Sequence, residues 1–134
     1  MGYALHREVR AFLSDPRSFV EGTGATAIER LIALQVALEA DDKTRDCRRY
    51  DRQRQRWVPT VTVELLTMWT GRGERTVSEM LRRLGERGLE LRKVMAKDRN
   101  GDPVYACKGH ATEFYIPPMP IVLPTGCHPP KGQP

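Results

Sequence analysis

Between residues 75 and 86 the chain sets out polar and charged side chains at helical intervals: Arg75, Ser78, Glu79, Arg82, Arg83 and Glu86. A guanidinium offers paired N–H donors that match a carboxylate, a phosphate or the O6/N7 edge of guanine. A carboxylate such as Glu79 accepts instead, from the amino group of cytosine or from an arginine three or four residues away on the same helix. The interleaved Val77, Met80, Leu81 and Leu84 follow i, i+3, i+4, i+7 spacing, so they form the buried stripe of an amphipathic helix. The charged set is then left facing solvent, where it either contacts a partner or forms ion pairs with itself.

Other chemistries find weaker support. Cys107 and His110, joined to Cys127 and His128, would make a Cys₂His₂ zinc set. Adjacent Cys-His ligands fit one tetrahedron poorly, and half the set sits in a proline-rich tail. A Cys-His pair is also the start of a thiol nucleophile, but no third orienting group follows. Gly71-Arg72-Gly73 is too short for a phosphate loop and has no lysine-serine or lysine-threonine pair after it. The reading is therefore of a non-enzyme with no cofactor and no metal.

The charged helix needs elements to hold it. A helical pattern over Val63–Trp69 precedes it, with Thr62 as N-cap and Thr70-Gly71 as the turn. Gly88 follows the second helix, about 73–87, as a C′ glycine. Two helices joined by a tight glycine turn form the helix-turn-helix pattern, which fits the second helix into the DNA major groove. Leu89 to Ala96 then alternates toward strand. Asp98-Arg99-Asn100-Gly101-Asp102 is a turn, and Val104–Ala106 and Thr112–Ile116 are return strands. A hairpin of this kind, about 95–110, would be a wing.

Upstream, Thr26-x-x-Glu29 is a capping box opening a helix through about Ala40. Ala27, Ile28, Leu31, Ile32, Leu34, Val36 and Leu38 surround most of that helix, so it is the central packing helix. Residues 3–13 read as a short amphipathic helix with Leu5, Val9, Phe12 and Leu13 on one side, ended by Asp15-Pro16. Phe19 and Val20 pack back, and Gly22-Thr23-Gly24 is a join. Residues 41–56 hold seven basic and four acidic side chains without apolar period. They read as a loop or a solvated helical extension. Their arginines, Arg48 and Arg49 among them, are candidates for phosphate contact. Trp57–Val61 reads as an edge strand, with both tryptophans assigned to the core. Residues 117–134 include seven prolines, which forbid regular structure and predict a disordered tail or one laid along a partner.

The totals fit this picture. The chain has 134 residues, 40% hydrophobic, with a net charge of +5 and an isoelectric point near 9.4. The charge suits a polyanionic partner. No apolar run reaches the ~18 residues of a membrane span. Charges at Arg7, Glu8 and Arg10 interrupt any signal-peptide core. Three scattered cysteines fit a reducing cytoplasm better than a disulfide framework.

The stretch from Thr26 to Pro117, about two-thirds of the chain, resembles winged helix-turn-helix domains of actinobacterial phages, plasmids and integrative elements. The matching residues are Trp57 and Pro59, Thr70-Gly71, Glu74-Arg75-Thr76-Val77, Leu81, Leu84, Gly88-Leu89, Gly109-His110 and Phe114-Tyr115-Ile116-Pro117. Three positions depart from the pattern. Arg72 stands where the turn usually has an apolar residue, Gly73 replaces the serine N-cap, and Thr67 replaces a small alanine. The first two sit nearest the groove, so no sequence preference carries over.

The expected architecture is mainly α with a small antiparallel β-hairpin, a winged helix-turn-helix over 23–117. An N-terminal helix and join occupy 1–22, a basic insertion 41–56, and a proline-rich tail 118–134. The resemblance implies double-stranded DNA binding in the cytoplasm, on the nucleoid, for replication initiation or transcription regulation. Arg75, Glu74, Ser78, Glu79, Arg82 and Arg83 would face the groove. Arg72 and Thr76 would meet phosphate at the helix start. Lys97, Arg99 and Lys108 would extend from the wing. A homodimer suits a helix that reads few base pairs. The competing class is a winged-helix module that offers the same helix face to a protein partner.

Overall fold

A computed structural model describes residues 3–14, 26–107 and 109–118. The join at 22–24, the packing of Phe19 and Val20, Lys108, Cys127-His128 and the tail beyond Pro118 lie outside these residues. The described chain is mainly helical with small antiparallel hairpins. In order it runs α1 (Tyr3–Ser14), α2 (Ala27–Glu39), β1 (Arg48–Asp51), β2 (Arg56–Pro59), α3 (Val63–Thr70), α4 (Glu74–Glu86), β3 (Ala96–Lys97) and β4 (Pro103–Val104). No described helix is long and apolar enough to cross a membrane.

The capping box forms as its spacing requires. Thr26 Oγ1 accepts from the Glu29 amide at 3.2 Å, and the Glu29 carboxylate accepts from the Thr26 amide at 2.8 Å. From there α2 runs through the middle of the molecule and packs against α1, α3 and α4. Its Ile32, Ala33, Val36 and Ala37 are fully buried, met by Leu5, Val9, Phe12 and Leu13 of α1. Leu31, expected in that core, is instead exposed. The smaller Ala33 and Ala37 take inward positions, which lets neighbouring helices approach closely.

Thr62 caps α3, its hydroxyl accepting from the Leu65 amide at 3.1 Å. Gly71 ends the helix at φ +69°, a left-handed conformation that glycine adopts without the Cβ clash. Val77, Leu81 and Leu84 of α4 are buried, as the periodicity predicts. Gly88, at φ +103°, turns the chain away.

Regular strand is shorter than the alternation over 89–96 suggests. β3 and β4 pair over two residues each, Ala96 opposite Val104 and Lys97 opposite Pro103. Beyond them a sparse ladder closes the fold. Cys47 donates to the Phe114 carbonyl (3.1 Å) and Ile116 to that of Arg45 (2.9 Å). Tyr115 donates to Leu91 (3.0 Å) and Lys93 to Glu113 (2.9 Å). Residues 113–116 thus lie between 45–47 and 91–93, and Leu89, Leu91, Phe114 and Ile116 are buried.

The segment 41–56 differs most from its sequence reading. It is not helix, and it is loop only in part. Turns at 42–44 and 52–55 flank strand β1, which with β2 makes an antiparallel hairpin pairing Arg48 with Pro59 and Tyr50 with Trp57. The strand shows no apolar period because its outer residues, Arg48, Arg49 and Tyr50, are all exposed. Trp57 is likewise exposed rather than core, while Trp69 does pack against the core.

Glu29 is the one buried charged residue described, with none of its surface exposed. Arg83 Nε lies 3.6 Å from its Oε2, and Arg87 Nη1 lies 3.9 Å from its Oε1. These separations provide charge compensation without a hydrogen bond, and Oε2 accordingly has no hydrogen-bond partner. Removing one member of a buried ion pair is strongly destabilising because the other charge is left uncompensated. Glu29→Ala should therefore lower the unfolding free energy, measured by urea titration, by about 3 kcal/mol. Glu29→Gln, whose amide oxygen still accepts from Thr26, should cost less. A loss below about 1 kcal/mol for the alanine variant, no more than one ordinary hydrogen bond, would show that Glu29 is not an anchor.

Candidate nucleic-acid interface

The turn between α3 and α4 and the first half of α4 stand open to solvent. Arg72, Gly73, Glu74, Arg75 and Thr76 are exposed, as are Ser78 and Glu79. Gly73 supplies no side-chain cap, so the first amides of α4 are not covered by a capping side chain. Glu74 sits in the first turn, where a carboxylate is favoured by the helix dipole. Among the described residues, the guanidinium groups of Arg72 and Arg75 have no ion-pair or hydrogen-bond partner. Arg75 and Arg82 are seven residues apart and share the outward face.

The remaining α4 arginines are committed elsewhere. Arg82 is bracketed by Glu79 and Glu86, its Nε donating to Glu79 Oε1 at 3.2 Å and its terminal nitrogens pairing with both carboxylates. The Arg82 hydrogen bond, with attraction from Arg82 and Arg83, holds the Glu79 carboxyl below its usual range. Glu79 is therefore ionised at neutral pH. Exposed intrahelical pairs of this kind are weak and exchangeable. Arg83 does not share the outer face that its spacing suggested. It is turned toward buried Glu29, its side chain about one-third exposed.

Lys97 and Arg99 are exposed on the second hairpin. The Asp98 carboxylate shapes its tip, accepting from the amides of Asn100 and Asp102 at 2.9 Å each. Gly101 takes φ +82°. The base of the hairpin is braced by a cluster that the sequence reading missed. Arg92 pairs bidentately with Glu90 at 2.8 and 2.9 Å and lies 4.0 Å over the Tyr105 ring. The Tyr105 hydroxyl donates to Glu90 at 3.1 Å.

In the basic segment, Arg48 and Arg49 reach solvent. Arg45 does not act as a free phosphate-seeking arm. It donates to the carbonyls of Ile116 (2.8 Å) and Pro117 (2.9 Å) and pairs with Glu8 of α1 at 2.8 Å. Its own backbone is left-handed at φ +68°, a strain those three contacts offset.

A groove of ≈ 470 Å³ runs between the β1–β2 hairpin and residues 109–114, with Trp57, Arg48, Lys93 and His110 on its walls. Cys47 also lines it. Among the described residues no three His, Cys, Asp or Glu side chains cluster as metal ligands. Cys107 and His110 meet as a backbone bridge. Compared with family models, with curated proteins and with solved structures, the chain matches none.

Burial pushes the Cys47 thiol up to about 12, with Glu39 and Asp46 adding to the shift. Its Sγ faces the Val36 carbonyl at 3.4 Å. A thiolate is the reactive form, so Cys47 is inert below that range. Iodoacetamide at pH 8 should label exposed Cys107 readily and leave Cys47 unmodified until the protein unfolds, as read by peptide mass spectrometry. Equal labelling of both in the folded protein would contradict the burial of Cys47.

Proposed function

We propose that this chain is a winged helix-turn-helix protein that binds double-stranded DNA with sequence preference. In this reading α3 and α4 are the helix-turn-helix, α4 is the recognition helix and the β3–β4 hairpin is the wing. The order of the ladder supports it, since residues 45–47, between α2 and β1, lie beside 113–116, which lie beside 91–93 after α4. One observation carries the reading: the glycine-turned start of α4 presents unpartnered Arg72 and Arg75 together with uncapped amides. That is the donor array a phosphate backbone and a guanine edge require.

The roles divide by environment. Arg75 is the candidate for a base contact, with Ser78 beside it. Arg72 and Thr76 take phosphate, as do Lys97 and Arg99 from the wing and Arg48 and Arg49 from the first hairpin. Arg82 joins only by exchanging Glu79 or Glu86 for a phosphate. Arg83 serves the fold through Glu29. By its sequence resemblance, the biological setting would be replication initiation or transcription regulation in a phage or plasmid, on the nucleoid. A protein-docking role would call for an apolar patch on the outer face of α4. That face carries Arg75, Ser78, Glu79, Arg82 and Glu86 instead.

Selection from a randomised duplex pool, followed by anisotropy at two salt concentrations, tests the proposal. One enriched motif is expected, and an inverted repeat within it would report a homodimer. Arg75→Ala should then cost about 1–3 kcal/mol at the selected site and relax preference at one position. Arg72→Ala should weaken all sequences alike and lower the salt slope by about one. No binding even at low salt would overturn the DNA reading in favour of a protein-docking face.

A further inference from the structure

The β1–β2 hairpin carries a chemistry that a duplex-reading helix does not use. Tyr50 and Trp57 stand opposite one another in the antiparallel register, so they share a face. Their ring centroids are 5.6 Å apart and the planes nearly perpendicular, at 75°. The Arg48 guanidinium lies 4.7 Å over the Trp57 ring. A cross-strand aromatic pair stabilises a hairpin, and that would suffice as an explanation if the rings were covered. They are not: Tyr50 is 47% exposed and Trp57 54%.

The surroundings of the rings select the partner. Within 48–59 five arginines face a single acid, Asp51. Asp51 is already occupied, accepting from the amides of Gln53 and Arg54 and pairing with Arg54 at 3.6 Å. Among the described residues Arg49, Arg52 and Arg56 have no partner. The groove beside Trp57 adds Lys93 and His110. Of its two carboxylates, Asp46 and Glu113, the first is paired with Lys93. The guanidinium at the rings, Arg48, is itself paired with Asp46 at 3.8 Å. By strand alternation Arg49 and Arg56 leave from the opposite face of the hairpin, and Arg52 from its turn. An exposed aromatic pair on a hairpin whose turn and other face carry unpaired guanidinium groups fits a polyanion that itself carries flat rings and wraps the hairpin edge. In a duplex those rings are stacked on each other and closed to a side chain, whereas an unpaired strand offers them freely.

We propose that the β1–β2 hairpin binds single-stranded nucleic acid, one base stacking on Trp57 while backbone phosphates meet Arg49, Arg52 and Arg56. This site is separate from α4 and shares only arginines of the first hairpin with the duplex reading, so the Trp57 variants distinguish its failure from that of the duplex reading.

The test uses the full chain with fluorescein-labelled oligo(dT) and oligo(U) of about a dozen nucleotides, followed by anisotropy at low salt. Trp57→Ala should weaken binding of the single strand about tenfold, the loss of one base–aromatic stack. Trp57→Phe, which keeps a ring, should restore most of it. Arg49→Ala/Arg52→Ala should weaken binding and flatten its salt dependence. Tryptophan emission of the unmodified protein should be quenched by the oligonucleotide, since Trp57 is exposed and Trp69 packs on the core. Preference for oligo(dT) or for oligo(U) identifies DNA or RNA as the source of the strand. Undiminished binding by Trp57→Ala, or an equal loss in Trp57→Ala and Trp57→Phe, would overturn the proposal. So would equal quenching by a blunt duplex.

Discussion

The carboxylate of Glu29, buried at the first turn of α2, is the interaction on which the arrangement of the molecule depends. One of its oxygens fixes where α2 begins by accepting from Thr26. The same group draws Arg83 and Arg87 inward from the far end of α4. Those two arginines are one helical turn apart, so pinning both fixes the rotation of α4 about its axis. Val77, Leu81 and Leu84 set the same rotation by burial. The outward face is then no accident of charge: with Arg83 held inside, Arg75, Glu79, Arg82 and Glu86 have only solvent to face.

That constraint divides the basic residues into three populations. Arg45 and Arg92 brace the fold, one tying α1 to residues 116–117 and the other supporting the second hairpin. Arg82 is held by carboxylates on its own helix. Arg72, Arg75, Lys97, Arg99 and, in the first hairpin, Arg49, Arg52 and Arg56 are exposed without comparable commitments among the described residues. Net charge alone gives no such division, although the +5 of the chain bears on affinity for any polyanion. The proposed duplex and single-strand sites both draw on the third population, the first centred on the turn between α3 and α4 and the second on the hairpin before α3.

Local rules made much of this legible in the sequence. Thr26-x-x-Glu29, Thr62, Gly71 and Gly88 each specify a helix end through their own side chain or lack of one, and each does so here. The spacing of Val77, Leu81 and Leu84 identified the inner face of α4. What escaped were features set by distant partners. Arg83 resembles its charged neighbours until Glu29, 54 positions earlier, is placed beneath it. The β1 strand hid because its outer side chains are exposed, leaving the Tyr50–Trp57 register as its main signature. The general tendency of tryptophan to be buried favours the core for Trp57, but its place on the β1–β2 hairpin leaves it exposed. The alternation over 89–96 overstated regular strand, because Glu90, Arg92 and Tyr105 bind the chain there by side chains as much as by backbone pairing.

The central claim, that α4 meets duplex DNA with its first turns while Arg83 stays with Glu29, can be tested directly by NMR. Backbone amide and arginine Nε–Hε signals of the ¹⁵N-labelled protein would be followed as a selected duplex is added. The account predicts large shifts at Arg72, Arg75, Ser78 and Glu79, accompanying shifts at Lys97 and Arg99, and little change at Arg83 Nε. Shifts absent from the start of α4, or centred on Arg83 and Glu29, would contradict it.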